Sequence, residues 1–242
     1  MSGFSDLIHT YWKTQMLEGS IIHFDELFTL VSNPKLRESY KMMILEMTNT
    51  HTMAVVTPKL AECLKLKELE QYSIASLRTA ISKCQLVLHS PDYIYYLPNN
   101  AVPISRDNRD DIVIRPLSMS QDAKAFREFE SSCIEEDLDG AYASLTHWVV
   151  YGAFDGDNLI GVSSMYLWED TKLADLGVLI LETYRDKGVA TRLVQAICRD
   201  VISKGCVPQY RCQVDNEASI ALAMASGFSL FGRWEAIVAE EE

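Results

Sequence analysis

The stretch from Leu176 to Val194 leaves this chain few ways to fold. It reads Leu-Gly-Val-Leu-Ile-Leu-Glu-Thr-Tyr-Arg-Asp-Lys-Gly-Val-Ala-Thr-Arg-Leu-Val. It opens with a continuous apolar run that suits a buried strand, and it turns polar from Glu182 to Lys187. Beyond Gly188, Val189, Leu193, Val194 and Ile197 recur at helical spacing. The order is therefore strand, polar loop, glycine, helix. The first N–H groups of a helix have no carbonyl partner within it and lie at the positive end of its dipole, so such a junction can hold an anion. Gly188 lets a ligand approach the backbone, and Ala190 is nearly as small. Arg185 and Lys187 add positive charge at the same spot. A glycine between strand and helix is also common as plain structure, and the spacing is neither a Walker loop nor a dinucleotide fingerprint.

Two segments carry a resemblance. Arg185-x-x-Gly188-x-Ala190 resembles the acetyl-CoA signature R/Q-x-x-G-x-G/A of the GNAT superfamily of N-acetyltransferases. Asn216-Glu-Ala-Ser219 followed by Gly227-Phe228 resembles the family's N-x-x-S/A…G-F segment. The likeness runs from about Ile112 to Glu240, a little over half the chain. Glu136-Asp-Leu-Asp-Gly140, His147-Trp148 and Pro208-Gln-Tyr-Arg-Cys212 are similar to a bacterial branch of the family with a helical N-terminal extension. The implied fold is α/β (α+β): a GNAT-like mixed, twisted sheet flanked by helices, after a mostly helical N-terminal domain.

At 242 residues the chain is one large domain or two small ones. We divide it into an N-terminal domain at 1–98, a linker at 99–110 and an acetyltransferase domain at 111–242. No apolar run is long enough to span a bilayer, and the N-terminus lacks a signal-peptide pattern, so a cytoplasmic protein is expected. The six cysteines and five histidines show no metal-ligand spacing, so no metal is expected. Residues 111–242 hold 22 acidic and 11 basic side chains, against 12 and 11 before them. Such a balance repels a nucleic-acid backbone and suits an amine, although solubility alone also explains it.

Phe4 to Val31 reads as two helices split at Gly19-Ser20. Asn33-Pro34 reads as the start of a third, with Leu36, Tyr40, Met43, Ile44 and Met47 as its stripe. A strand at Thr52 to Thr57, helices at Lys59 to Leu66 and Tyr72 to Leu88, and a strand at Tyr93 to Leu97 follow. None of this carries a catalytic signature. Its open roles are to complete the core, shape the substrate pocket or form a homodimer. Strands are then expected at 112–117, 148–154, 159–167, 173–181, 209–214 and 229–239. Helices are expected at 120–133 with Ser120 as cap, 189–203 and 216–226, with an acidic turn at Glu135 to Gly140.

The resemblance places acetyl-CoA as acyl donor in an opening between the fourth and fifth strands of this domain. Leu179, Ile180 and Leu181 would offer backbone groups along the pantetheine arm, where an exposed N–H could polarise the thioester carbonyl. Arg185, Asp186, Lys187, Gly188, Val189, Ala190 and Thr191 would hold the pyrophosphate. Asn216 would bond the coenzyme, or serve as an ordinary helix cap. Attack by an amine needs a base. Glu182 leads, with Asp175 and the Glu135-Glu136-Asp137 turn as alternatives. Many relatives carry a thiolate-protonating tyrosine four residues before Gly-Phe, where this chain has Ala223. Tyr210, Cys212 or water is left for that role. Glu136, Asp137, His147 and Arg211 are candidates for the acceptor pocket, while Trp148 reads as core. The expected activity is acetyl-CoA-dependent N-acetylation of a small-molecule primary amine by direct attack in a ternary complex. The alternatives are a coenzyme-binding regulatory or sensory module without catalysis and a protein-amine acetyltransferase.

Overall fold

A computed structural model describes residues 3–37, 39–48, 51–99, 101, 111–168 and 171–238. Its elements are α1 (Asp6–Leu17), β1 (Ser20–Phe24), β2 (Phe28–Ser32), β3 (Tyr40–Met47), β4 (Thr52–Val56), α2 (Pro58–Cys63), α3 (Ile74–Lys83) and β5 (Asp92–Tyr96). Then come β6 (Ile112–Pro116), α4 (Met119–Ser131), α5 (Glu135–Ala141), β7 (Val149–Asp155), β8 (Asn158–Leu167), β9 (Leu173–Ile180), α6 (Val189–Ser203), β10 (Val207–Gln213), α7 (Glu217–Ala225) and β11 (Ser229–Val238). The mixed sheet flanked by helices is as expected. No helix among the described residues is long and apolar enough to cross a membrane.

The chain forms two compact units. The first holds Met1–Ile94, Cys212–Asn216 and Leu230–Glu242. In it β2 and β4 are parallel, while β1 with β2, β3 with β4, and β3 with β11 are antiparallel. One core cluster joins Leu30, Met42, Ile44 and Val56 of the sheet to Leu60 of α2 and Leu77 and Ile81 of α3. Helix α1 packs on β2 and β4.

Here the structure corrects the sequence reading. The first hundred residues are not mostly helical: the second predicted helix is the β1–β2 hairpin, and the third is β3. Met42, Met43, Ile44 and Leu45 are all buried. A strand covered on both faces is apolar at every position, so the helical template fitted it by accident. Asn33 does not cap a helix. Its Oδ1 accepts the Lys35 N–H at 2.8 Å, which closes a turn. The predicted linker falls largely outside the described residues.

The second unit holds Tyr95–Arg211 and Glu217–Ser229. Strands β10, β9, β8, β7 and β6 lie side by side in that order. The β7–β8 hairpin turns at Gly156-Asp157, with Asp155 opposite Asn158. Phe126 and Phe129 of α4 pack with Phe154, Val162 and Leu179 on one sheet face. Val189 and Leu193 of α6 pack with Ile160 and Ile180 in a separate cluster. The acidic turn at Glu135 is instead the helix α5. The cap of α4 is Ser118 rather than Ser120, and the Asp122 carboxylate closes that end by accepting the Ser118 N–H at 2.8 Å.

Two strands in this unit matter most. β9 and β10 are parallel but pair over only three positions, Leu173 with Val207, Ala174 with Pro208 and Asp175 with Gln209. Beyond Asp175, β9 continues for five residues paired only with β8. The two strands therefore part, leaving a gap at the C-terminal end of β9.

Candidate active site

One end of the gap leads to the loop before α6. Gly188 sits there at φ +77°, in the left-handed region that glycine enters without strain. No side chain caps α6, and its first turn closes with the Arg192 N–H on the Gly188 carbonyl at 3.2 Å. The N–H groups of Val189, Ala190 and Thr191 precede that bond, as orphan donors at the positive end of a fifteen-residue helix. Asp186, also left-handed at φ +59°, and Lys187 are exposed. The Lys187 ammonium donates to the Thr183 carbonyl at 2.6 Å and lies 5.0 Å from the Tyr184 ring centroid.

Arg185 is not simply a free positive charge. Its Nη2 meets Asp137 of α5 at 2.5 Å, and its Nε donates to the Ile180 carbonyl at 3.3 Å. Asp137, expected in the acceptor pocket, thus ties α5 to the loop, while Glu136 is exposed beside it. Leu179 and Ile180 point their side chains into separate core clusters, so only their backbone groups could serve a ligand. Leu181 is half-buried. Glu182 begins a short turn, Glu182–Tyr184, and is exposed. Asn216 is exposed just ahead of α7.

Where the strands part there is a cavity of about 340 Å³. The end of α5, Gly140 to Tyr142, rims it; Asp175, Leu176 and Gly177 of β9, Tyr166 and Arg211 wall it. Gly177 is required by packing: a Cβ there would lie 2.3 Å from the Ala141 carbonyl oxygen.

Asp175 is the centre of the cavity's polar groups. It is only 5% exposed. One carboxylate oxygen accepts the Gln209 side-chain N–H at 3.0 Å; the other accepts the Tyr166 hydroxyl at 2.9 Å and meets Arg211 Nη2 at 3.4 Å. Strand register explains the row: Tyr166 on β8 and Gln209 on β10 are both directly opposite Asp175. The Tyr96 hydroxyl donates to the Gln209 carbonyl oxygen, which fixes that amide's orientation. Arg211 lies with its guanidinium 4.6 Å above the Trp168 ring centroid. Burial, reinforced by the Asp175 charge, pushes the Tyr166 phenol well above its ordinary pKa, so it stays protonated as a donor.

His147 belongs to the same neighbourhood. Its ring lies 5.4 Å from Tyr142 and 5.1 Å from Tyr166, and its Nδ1 is 2.9 Å from the Ser164 hydroxyl. Burial lowers its pKa and favours the neutral imidazole. Trp148, expected in the core, is 43% exposed.

The structure does not bring Tyr210 or Cys212 into the cavity wall. Tyr210 is 2% exposed and packs edge-on against Tyr95 and Phe228. Cys212 is buried, and its thiol is pushed up to about 12 by desolvation and then by the charge of Asp92. Ala223 is fully buried, so α7 offers no hydroxyl at that position. Tyr142, Tyr166, Trp168 and Gln209 were missed by sequence reasoning. For Tyr166 and Gln209 the signal is strand register, which a single sequence does not show.

Among the described residues no three His, Cys, Asp or Glu side chains gather as metal ligands. No curated protein sequence matches the chain. A conserved protein from Staphylococcus epidermidis, described as functionally unknown, is similar in fold at 12% identity, with 96% of this chain and 98% of that chain covered and a TM-score of 0.52. An acetyltransferase from the GNAT family from Colwellia psychrerythraea matches at 14% identity, with 77% and 76% covered and a TM-score of 0.51. A GNAT-family structure from Novosphingobium aromaticivorans matches at 18% identity over 64% of this chain, which spans 66% of that one, with a TM-score of 0.47. At these identities the likeness is one of fold. Residues 117–228 match the model of the acetyltransferase (GNAT) family, and the parted strands, the signature loop and the following helix all lie within them. The match to the acetyltransferase (GNAT) family thus covers a little under half of the chain, the part that holds the candidate site.

Proposed function

We propose that this protein is an acetyl-CoA-dependent N-acetyltransferase that acetylates the primary amine of a small molecule by direct attack in a ternary complex. The observation that carries the reading is the parting of β9 and β10 at Asp175–Gln209, with uncapped helix amides at one end and a carboxylate-bearing cavity at the other. The residues present fit the donor. The amides of Val189 to Thr191, beside Gly188 and Lys187, suit a pyrophosphate. The backbone of Leu179 to Leu181 suits the extended arm. Acetyl-CoA supplies the thioester carbonyl under attack and a thiol whose pKa, near 8.5 for an ordinary thiol, lets it leave without a strong acid.

Asp175 is the carboxylate in the cavity wall, so we assign it the ammonium of the acceptor and then its proton. Glu182, exposed at the head of the loop, is the second choice. Tyr166 and Gln209 hold the Asp175 carboxylate in one orientation. Beyond Asp175 the β10-facing edge of β9 has no strand partner, so its N–H groups suit the charge that develops on the carbonyl oxygen.

The second reading, a coenzyme-binding module without catalysis, is favoured by Ala223, where no acid can stand. Calorimetry with acetyl-CoA, with thiol release followed against an amine panel, separates the two. Binding with amine-dependent release supports transfer. Binding without release supports the module, and no binding refutes both.

A further inference from the structure

The loop that leads into α6 and the helix that rims the cavity are joined by one guanidinium, that of Arg185. We infer that Arg185 is a positioning residue for the acceptor site: it seats α5 against the end of β9 and is not a ligand of the donor's phosphates. The inference rests on the acetyltransferase reading above. It places the signature arginine on the opposite side of the reaction from the glycine and the helix that follow it.

Charge gives the first argument. Arg185 Nη2 meets an Asp137 oxygen at 2.5 Å, and its Nε donates to the Ile180 carbonyl at 3.3 Å. The guanidinium is thus matched by a carboxylate on the α5 side. The same loop carries the exposed carboxylates Glu182 and Asp186 beside Lys187. With Asp137 that makes three carboxylates against two cations, so an arriving phosphate meets no surplus of side-chain positive charge. What remains for it is the row of amides from Val189 to Thr191, with the Lys187 ammonium beside them. Drawing Arg185 away to a phosphate would also strip Asp137 of the cation it faces and leave like charges side by side.

Packing gives the second. Helix α5 has seven residues, and none of them is fully buried. Leu138 and Ala141 rest half-buried on the cluster of Phe126, Phe129 and Leu179. The C-terminal end is seated on β9 at Gly177, where a Cβ would lie 2.3 Å from the Ala141 carbonyl oxygen. The first turn is held by Asp137 on Arg185. These two points lie about 6 Å apart along the helix axis. Together they fix its direction, whereas a helix held at one of them can pivot. The rim of the cavity, Gly140 to Tyr142, pivots with it. Tyr142 leaves the helix at φ +45°, a left-handed backbone that a tyrosine keeps only where its surroundings hold it. Arg185 therefore acts on the acceptor cavity through α5.

The test uses the full chain and four variants: Arg185→Gln, Arg185→Lys, Asp137→Asn and the double variant Arg185→Gln with Asp137→Asn. Calorimetry reads acetyl-CoA affinity, thiol release with the best amine of the panel gives kcat and KM, and hydrogen exchange follows the amides of residues 135–142. Thermal unfolding shows that each variant is folded. Arg185→Gln and Asp137→Asn should each raise the acceptor's KM by about fivefold or more and speed exchange across α5. Each should leave acetyl-CoA affinity within about threefold of wild type, since the amides are untouched. The double variant should be no worse than either single one, because both remove the same contact. Arg185→Lys should recover part of the loss. A larger fall in donor affinity in Arg185→Gln would make the arginine a phosphate ligand and overturn the inference. Donor binding tightened beyond that range in Asp137→Asn would make Asp137 a competitor of the phosphates and overturn it too. Unchanged acceptor KM and exchange would also overturn it, and each of these results leaves the transferase reading intact. Wild-type protein that binds no acetyl-CoA, or binds it without release from any amine, refutes both.

Discussion

Replacing Gly177 with alanine tests whether the cavity and the donor loop are separable. A Cβ at this position would lie 2.3 Å from the Ala141 carbonyl oxygen and 2.9 Å from that of Tyr142, where ordinary contact begins at 3.4 Å. Both neighbours are backbone, so no side chain can swing aside, and the last turn of α5 must retreat by about an ångström. Overpacking of this kind costs roughly 1–3 kcal/mol. For a chain of this size that lowers Tm by about 2–12 °C. The same retreat carries the cavity rim with it, and a misplacement of about an ångström near a reacting centre costs on the order of 100-fold in rate. The orphan amides of Val189 to Thr191 lie past the other end of β9, so acetyl-CoA affinity should change less than twofold. Thermal unfolding, donor calorimetry and steady-state kinetics with the best acceptor make up the assay. Wild-type kcat/KM in the folded variant would refute the assignment of this cavity to the acceptor. A loss of donor affinity matching the loss of rate would refute the separation.

Gly188→Glu, placing bulk and negative charge ahead of α6, should weaken acetyl-CoA binding more than 100-fold; unchanged affinity in the folded variant removes the donor assignment. Asp175→Asn should lower kcat by about 10²–10⁴, whereas wild-type turnover in the folded variant would exclude Asp175 as the base. Arg115 first, then the Ser118 N–H, holds the Asp122 carboxyl below its ordinary pKa. A depressed folded pKa stabilises above the unfolded value, near 4, and that gain is lost as pH falls through the folded value. Asp122→Asn should therefore cost roughly 1–2 kcal/mol at pH 7 and progressively less toward pH 3, read by thermal unfolding; a pH-independent difference contradicts the ion pair. Cys198 and Cys212, both with raised thiol pKa values, should resist alkylation at pH 8 in the folded protein, while exposed Cys63 reacts.

The second unit was largely legible in the sequence because its elements announce themselves locally. Helix α6 spans the predicted residues, since glycine marks its start and its buried stripe keeps one period. The β7–β8 turn was readable from Asp155-Gly156-Asp157-Asn158. The first unit was less so, because β2 and β3 are buried on both faces and show no alternation. At the site, the signature loop was visible as a run of residues. The row Tyr166–Asp175–Gln209 was not, because it exists only across three strands. The Arg185–Asp137 pair was likewise hidden, since its members lie 48 residues apart.

Strand β10 sets a limit on how this unit can tolerate insertions and deletions. Its residues alternate, Gln209 and Arg211 toward Asp175, Tyr210 among the rings of Tyr95 and Phe228. Only three residue pairs hold it to β9. Slipping the strand by one residue would drive a guanidinium into an aromatic core and turn a phenol toward the carboxylate. A single-residue insertion or deletion between Gly205 and Gln209 therefore has to be absorbed ahead of the strand, because within it the change exchanges a polar wall for an apolar one.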